Sequence, residues 1–357
     1  MPTRRAAVAA IALSTGLAAH SAHAQWTVTN FHPAGPAASQ LRDTSATHQV
    51  GQTTVGGIIH AALWSGSAAS HIDLHPAGAT DSHAWMVSGL QQVGQARIGG
   101  ELQASLWTGS AASFINLNPA GATASVAFGV RDGVQVGHAR IAGVTSAGIW
   151  TGSAASFVNI HPAGATNSIA YATDAGQQVG QAAIGGVTRA SLWSGSAASF
   201  VDLNPAGATS SFAYGIDDGQ QVGRALIGGI DHAALWSGSA ASFIDLHPAG
   251  SNQSRAVDVA GGWQAGYARF GAVERASLWN SSADSWEDLS LALTGSWGLT
   301  IAYGVWLEGT TLSVAGWGFN NDTQRNEALL WTREIPSPGP AALLALAGLT
   351  AFSRRRR

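Results

Sequence analysis

A Leu-Trp or Ile-Trp pair recurs seven times along the chain, with its tryptophan at Trp64, Trp107, Trp150, Trp193, Trp236, Trp279 and Trp331. The first five intervals are 43 residues each and the last is 52. A fixed period of this length points to stacked copies of one supersecondary unit, because a single short unit cannot bury its own apolar face.

Each copy contains four short apolar or alternating runs divided by turn residues. The fifth copy shows them in Ser210-Ser211-Phe212-Ala213-Tyr214-Gly215-Ile216, Gln221-Val222-Gly223, His232-Ala233-Ala234-Leu235-Trp236 and Phe243-Ile244-Asp245-Leu246. Asp218-Gly219, Gly228-Gly229 and Ser237-Gly238-Ser239 stand at the breaks as hairpin turns. No run in the body sustains a helical apolar period, and four strands in about 43 residues match one propeller blade. The expectation is an all-β, seven-bladed β-propeller of four-stranded blades. The fourth-strand pattern appears early, as Val28-Thr29-Asn30-Phe31, and is missing after Trp331. A ring closed by the N-terminal strand completing the last blade accounts for both facts and leaves no open sheet edge.

Two further columns read as structural. Three residues before each Trp lies an alanine, from Ala61 to Ala328, small enough for neighbouring sheets to approach. The glycines Gly51, Gly94, Gly137, Gly180, Gly223, Gly266 and Gly316 mark close approach or a bulge.

The repeat resembles the HAF family of extracellular repeats over roughly residues 26 to 332. The Ala-x-Leu-Trp strand of that family stands here as Ala233-Ala234-Leu235-Trp236, and its Gly-x-x-Val-Gly turn as Gly219-Gln220-Gln221-Val222-Gly223. The resemblance implies a secreted, propeller-like protein and carries over no established activity.

Residues 1–24 read as a secretory signal peptide. Arg4 and Arg5 precede an apolar run from Ala6 to Ala19, and Ala22-His23-Ala24 places cleavage between Ala24 and Gln25. Residues 25–334 are then the propeller. Residues 335–357 form a tail in which Pro336-Ser337-Pro338 precedes an apolar run from Ala341 to Phe352 and a cluster of Arg354, Arg355, Arg356 and Arg357. This order resembles the PEP-CTERM sorting signal of Gram-negative bacteria, with Ser337 where that family has Glu. It implies an exosortase-type processing enzyme as partner, transient membrane anchoring through the tail, and a final place at the cell surface or in the extracellular matrix.

Composition excludes several functions. The chain has no cysteine, so a disulfide framework, a thiolate metal site and a cysteine nucleophile are ruled out. All 17 basic residues are arginine, six of them at the extreme ends, which leaves 11 against 20 Asp and Glu in the body. No basic stripe for nucleic acid exists.

The repeated polar residues read as structural too. His32, His75, His161 and His247 alternate with Asn118 and Asn204 before proline. Equivalent side chains in sheets about 10 Å apart are too distant to share one metal ion, and Asn suits a turn. Gln49, Gln92, Gln135, Gln178, Gln221 and Gln264 suit bridges between backbone groups. Asp73, Asp202, Asp245 and Asp288 interchange with Asn116 and Asn159, which excludes paired acid–base catalysis at that column. No catalytic residue, metal site or cofactor is expected. The last two copies depart most from the repeat, and Trp297, Trp306 and Trp317 there are candidate glycan contacts. The leading expectation is an exported, non-catalytic structural or interaction scaffold that engages other surface proteins. The alternatives are a lectin-like propeller binding exopolysaccharide, and a hydrolase with its site at the channel mouth.

Overall fold

A computed structural model describes residues 25–335 of the chain. The expected leader, with cleavage after Ala24, and the sorting tail over 336–357 lie outside the described residues. Seven four-stranded antiparallel sheets follow one another around an axis. In the first blade the strands Ala38–Thr44, Gln49–Val55, Ile58–Trp64 and Ile72–Asp73 run in sequence from the axis outward. Among the described residues there is no α-helix, only 3₁₀ turns such as Ala68–Ser70. The seven-bladed propeller read from the sequence is the fold.

Closure follows the expected exchange. Trp297–Glu308, Thr311–Asn320 and Arg325–Glu334 form three strands of the last blade, and Thr27–Asn30 supplies the fourth. Thr27 pairs with Thr332 and Asn30 with Leu329. The backbone of this strand repeats what every outer strand does. Phe31 N donates to Ala328 O at 2.8 Å, as Leu74 N donates to Ala61 O at 2.9 Å. Asn30 Oδ1 accepts from His32 N at 2.8 Å, as Asp73 Oδ1 accepts from His75 N at 2.8 Å. That turn needs one side-chain oxygen two residues back, which Asp and Asn supply equally, and this explains their interchange.

The turn residues act as their chemistry predicts. Asp218 and Gly219 have φ of 45° and 74°, the left-handed pair of a tight hairpin whose twist matches the strands. The third strand of each blade is buried on both faces. Ala61 and Leu63 face the second blade, where Trp107 packs on them, while Ala62 and Trp64 face the last blade. All seven repeated tryptophans are fully buried, so each inter-blade layer is centred on one indole against an alanine. Removing such a ring costs about 3–5 kcal/mol.

Polar bolts join the blades as well. Ser82 Oγ, on the inner strand of the second blade, accepts from Ala61 N of the first at 2.9 Å. The hydroxyl in turn donates to His75 Nδ1 at 2.9 Å, and His75 Nε2 donates to Ala79 O at 3.0 Å. Where asparagine replaces histidine, Ser125 Oγ donates to Asn118 Oδ1 at 2.6 Å and Asn118 Nδ2 donates to Ala122 O at 3.3 Å. One acceptor and one donor are all the position requires, so the two residue types are equivalent. The glutamine column bridges backbone groups: Gln178 Nε2 donates to Gly176 O at 2.9 Å and Gln178 Oε1 accepts from Gly195 N at 2.8 Å.

The glycine column has one cause. In the fifth blade Ala213 pairs with Gly223 and Gly215 with Val222, which leaves Tyr214 as the extra residue of a β-bulge. A Cβ on Gly223 would stand 1.8 Å from Phe212 O, so only glycine lets the bulged strand close on its neighbour. The same break interrupts the inner strand of every blade.

Candidate functional site

A bulge re-aims the side chain of its extra residue. Here the seven extra residues are Arg42, Trp85, Phe128, Tyr171, Tyr214, Val257 and Tyr303. All seven line one cavity of about 220 Å³ at the end of the propeller axis. Asp43, Met86 and Asp258 form its floor and are shared with a narrower axial cavity of about 50 Å³, lined further on by Ser88, Arg131, Thr173 and Trp306. The repeated glycine thus makes the bulge, and the bulges together make an axial mouth.

The wall is a run of tilted aromatic rings. Ring centroids lie 6.1 Å apart from Trp85 to Phe128, 5.2 Å from Phe128 to Tyr171 and 5.5 Å from Tyr171 to Tyr214. Such chains of tilted rings hold each ring in place and present faces and edges to the space they enclose. Burial raises the Tyr171 hydroxyl well above the ordinary tyrosine range, with the neighbouring Tyr214 adding to the shift. Arg42 closes the circle: its guanidinium lies 4.3 Å from the Tyr303 ring centre and 5.2 Å from that of Trp85, and donates to Gln40 Oε1 at 2.8 Å.

The floor is acidic. Asp43 Oδ2 accepts from Val87 N at 2.8 Å, and Asp258 Oδ2 from Val305 N at 2.9 Å, so each carboxylate ties its blade to the next. Gly304 makes room for this, since a Cβ there would meet Asp43 Oδ1 at 2.6 Å. Burial, and then the charge of Asp258, hold the Asp43 carboxyl well above the usual carboxylate range. Burial pushes Asp258 up to about 7, against the pull of the Val305 and Val259 amides. Beyond the floor, Arg131 spans Asp174 at 3.2 Å and Asp217 at 3.3 Å.

The mouth therefore offers aromatic faces, one guanidinium and a pair of carboxyls that resist losing both protons together. No serine, cysteine or histidine stands among the residues lining it.

The residues singled out in the sequence are dispersed. Trp306 lines the narrower axial cavity, with Nε1 donating to Glu308 Oε2 at 3.0 Å. Trp297 and Gln25 line a lateral groove beside the N-terminal strand. Trp317 sits on the second strand of the last blade, opposite Ile301. Pro336, Ser337, Pro338 and the terminal arginines lie outside the described residues. The signal for the mouth lies in the repeat: aligning the copies gives the column Arg, Trp, Phe, Tyr, Tyr, Val, Tyr, five of its seven members aromatic, one residue after a column of one leucine and six alanines.

No family model and no curated relative matches this chain. Solved structures share its fold. A puromycin hydrolase matches with a TM-score of 0.54 at 12% identity, over 84% of this chain and 54% of that one. The Pyrococcus horikoshii acylaminoacyl peptidase matches with a TM-score of 0.53 at 10% identity, over 86% and 54%. The β-propeller domain of the Trilobed protease from Pyrococcus furiosus, described as having an open velcro topology, matches at 0.52 and 8%, over 84% and 99%. This chain spans about half the length of the first two. At such identities the likeness concerns the fold.

These neighbours correct one expectation. The leading expectation from the sequence is a non-catalytic surface scaffold, with a glycan-binding propeller and a hydrolase with its site at the channel mouth as alternatives. The three solved propellers described above come from a puromycin hydrolase, an acylaminoacyl peptidase and a protease, and the ring encloses one mouth whose lining differs from blade to blade.

Proposed function

We propose that this chain is a hydrolase-type propeller whose axial mouth admits a peptide-like substrate, one side chain or chain end at a time. One observation carries the reading: seven bulges, each dependent on a glycine, converge on a single cavity whose lining differs from blade to blade. A purely structural ring has no need to vary that column. The volume of about 220 Å³ suits one large side chain and excludes a folded domain. Without serine, cysteine or histidine in the lining, the mouth selects and orients, and bond cleavage belongs to groups outside it. The likeness to propellers carried by two hydrolases supports this reading at the level of architecture. We keep with it the export of the chain by its leader and its sorting by an exosortase-type enzyme, which place the activity outside the cytoplasm.

The test is fluorescence anisotropy with labelled, extended peptides of mixed sequence. Binding that weakens at least tenfold in Tyr171→Ala and Phe128→Ala is expected. A folded wild-type protein that binds no peptide, or variants that bind as well as wild type, would overturn the reading.

A further inference from the structure

The proposed substrate-admitting mouth has a chemistry more specific than its shape. Its wall is built of π-faces and its floor of two carboxyls, and both attract positive charge: the faces through their quadrupoles, the carboxylates directly. The protein already demonstrates the first attraction within the same ring, where the Arg42 guanidinium rests 4.3 Å from the centre of Tyr303. Gln40 holds that guanidinium at one side, so Phe128, Tyr171 and Tyr214 remain to line the space across from it.

We propose that the mouth recognises an organic cation, an ammonium or guanidinium group carried on an aliphatic stem, seated between the aromatic wall and the Asp43–Asp258 pair. The stem packs on the rings, and the charged head meets the floor. This rests on the reading of the mouth as the place of substrate entry and narrows that substrate to one bearing a basic group.

Burial holds both floor carboxyls above the usual carboxylate range, with the charge of Asp258 adding to the shift at Asp43, and an arriving cation favours their ionisation. Arg131 is the facing cation from below, but its guanidinium is engaged by Asp174 and Asp217. Arg42 faces the floor from the strand of Asp43 itself and stays stacked on its ring. Tyr171, Tyr214 and Tyr303 are the remaining titratable groups of the wall, and burial raises Tyr171 above the ordinary tyrosine range.

Two matched probes separate this inference from the reading beneath it: N-acetyl-lysine amide and N-acetyl-norleucine amide, which share a stem and differ by the ammonium. Calorimetric titration of the full chain at pH 8 is expected to give at least tenfold tighter binding of the lysine probe. The preference should collapse at pH 5.5, where the floor is protonated. Asp258→Asn, whose amide oxygen still accepts from Val305 N, should abolish the preference at pH 8 while retaining the norleucine probe. Tyr171→Leu, which keeps bulk and removes the π-face, should weaken the lysine probe more than the norleucine one. Equal binding of both probes at pH 8 overturns cation recognition and leaves the substrate-entry reading standing. A preference unchanged in Asp258→Asn overturns the role of the floor. No binding of either probe, together with no binding of extended peptides, overturns both.

Discussion

The carboxylate of Glu327, on the third strand of the last blade, accepts a hydrogen bond from Asn30 Nδ2 at 2.6 Å across 297 residues of chain. Glu327 is only 2% exposed, and it also accepts from Asn320 Nδ2, Thr323 Oγ1 and Arg325 Nε. In four other blades the equivalent pair runs the opposite way, with a base on the third strand and the carboxylate on the outer one, as in Arg189–Asp202 at 2.6 Å and His232–Asp245 at 2.8 Å. Swapping the polarity gives the closing strand a partner no other blade offers. Asn30→Ala is expected to lose about 1.5–3 kcal/mol, the range for a hydrogen bond to a charged group. Urea unfolding measures the loss, and hydrogen exchange should show protection falling first at Thr27–Asn30.

The same carboxylate carries a pH signature. Its hydrogen bonds lower Glu327 to about 2, below its ordinary 4.5 and against the opposing effect of burial. An acid with a depressed folded-state pKa contributes stability above its unfolded pKa and loses it as pH falls. The penalty of Glu327→Gln relative to wild type should therefore be full above pH 4.5 and shrink as pH drops toward 2.

Asp258 behaves in the opposite sense. Its folded-state value of about 7 lies above the ordinary 3.8, so ionisation is disfavoured in the folded state and stability falls as pH rises between the two. Asp258→Asn should match wild type below pH 3.8, gain on it up to pH 7 and hold the gain above. Denaturant midpoints at pH 4, 5.5 and 8 check this, and a constant difference would contradict it.

Gly180→Ala tests whether the bulge depends on glycine. A Cβ there would lie 1.9 Å from Ile169 O, a backbone atom that cannot step aside without undoing the bulge that presents Tyr171. The expected loss is about 3 kcal/mol or more, at the upper end for overpacking, with a changed near-ultraviolet circular dichroism from displaced aromatic rings.

His75→Asn should be nearly silent, within about 1 kcal/mol, because Asn118 and Asn204 already fill that role in other blades. His75→Leu should cost about 1–3 kcal/mol by stranding the Ser82 hydroxyl and the Ala79 carbonyl. Zinc should leave the melting temperature unchanged, since a metal would have to displace both bonds of the ring.

The ring, its blade count and its closure were legible because they rest on columns that every copy shares: the tryptophan, the alanine and the glycine. Packing of identical layers demands identical residues, and identity is what a repeat displays. The mouth was hidden for the reverse reason. Its column changes from Arg42 to Val257, and its members gain a common direction only because a bulge takes them out of the alternation of a regular strand. The irregular last blades and their extra tryptophans carry the visible break in the repeat, whereas the asymmetry of the mouth is one residue per blade. The floor carboxylates were hidden too, since Asp43 and Asp258 stand where other copies have Met86, Gly129 or Ala172 and become neighbours only on closure.

The seam between Thr27–Asn30 and the strand ending at Glu334 also has a mechanical meaning. The two strands are antiparallel, so the chain leaves them in both directions from the same end, beside the Thr27–Thr332 pair. A pull on the protein through its two ends loads the seam as a zipper, one rung after another, and not in shear. The first resistance is the clasp at that end, where the Trp26 indole donates to Glu287 at 2.6 Å and Arg333 grips the same carboxylate at 2.7 Å while lying over the indole. The last is Asn30 on Glu327, at the far end of the teeth. Tethered by one end the propeller carries no load at this seam, whereas stretched between two anchors it opens there.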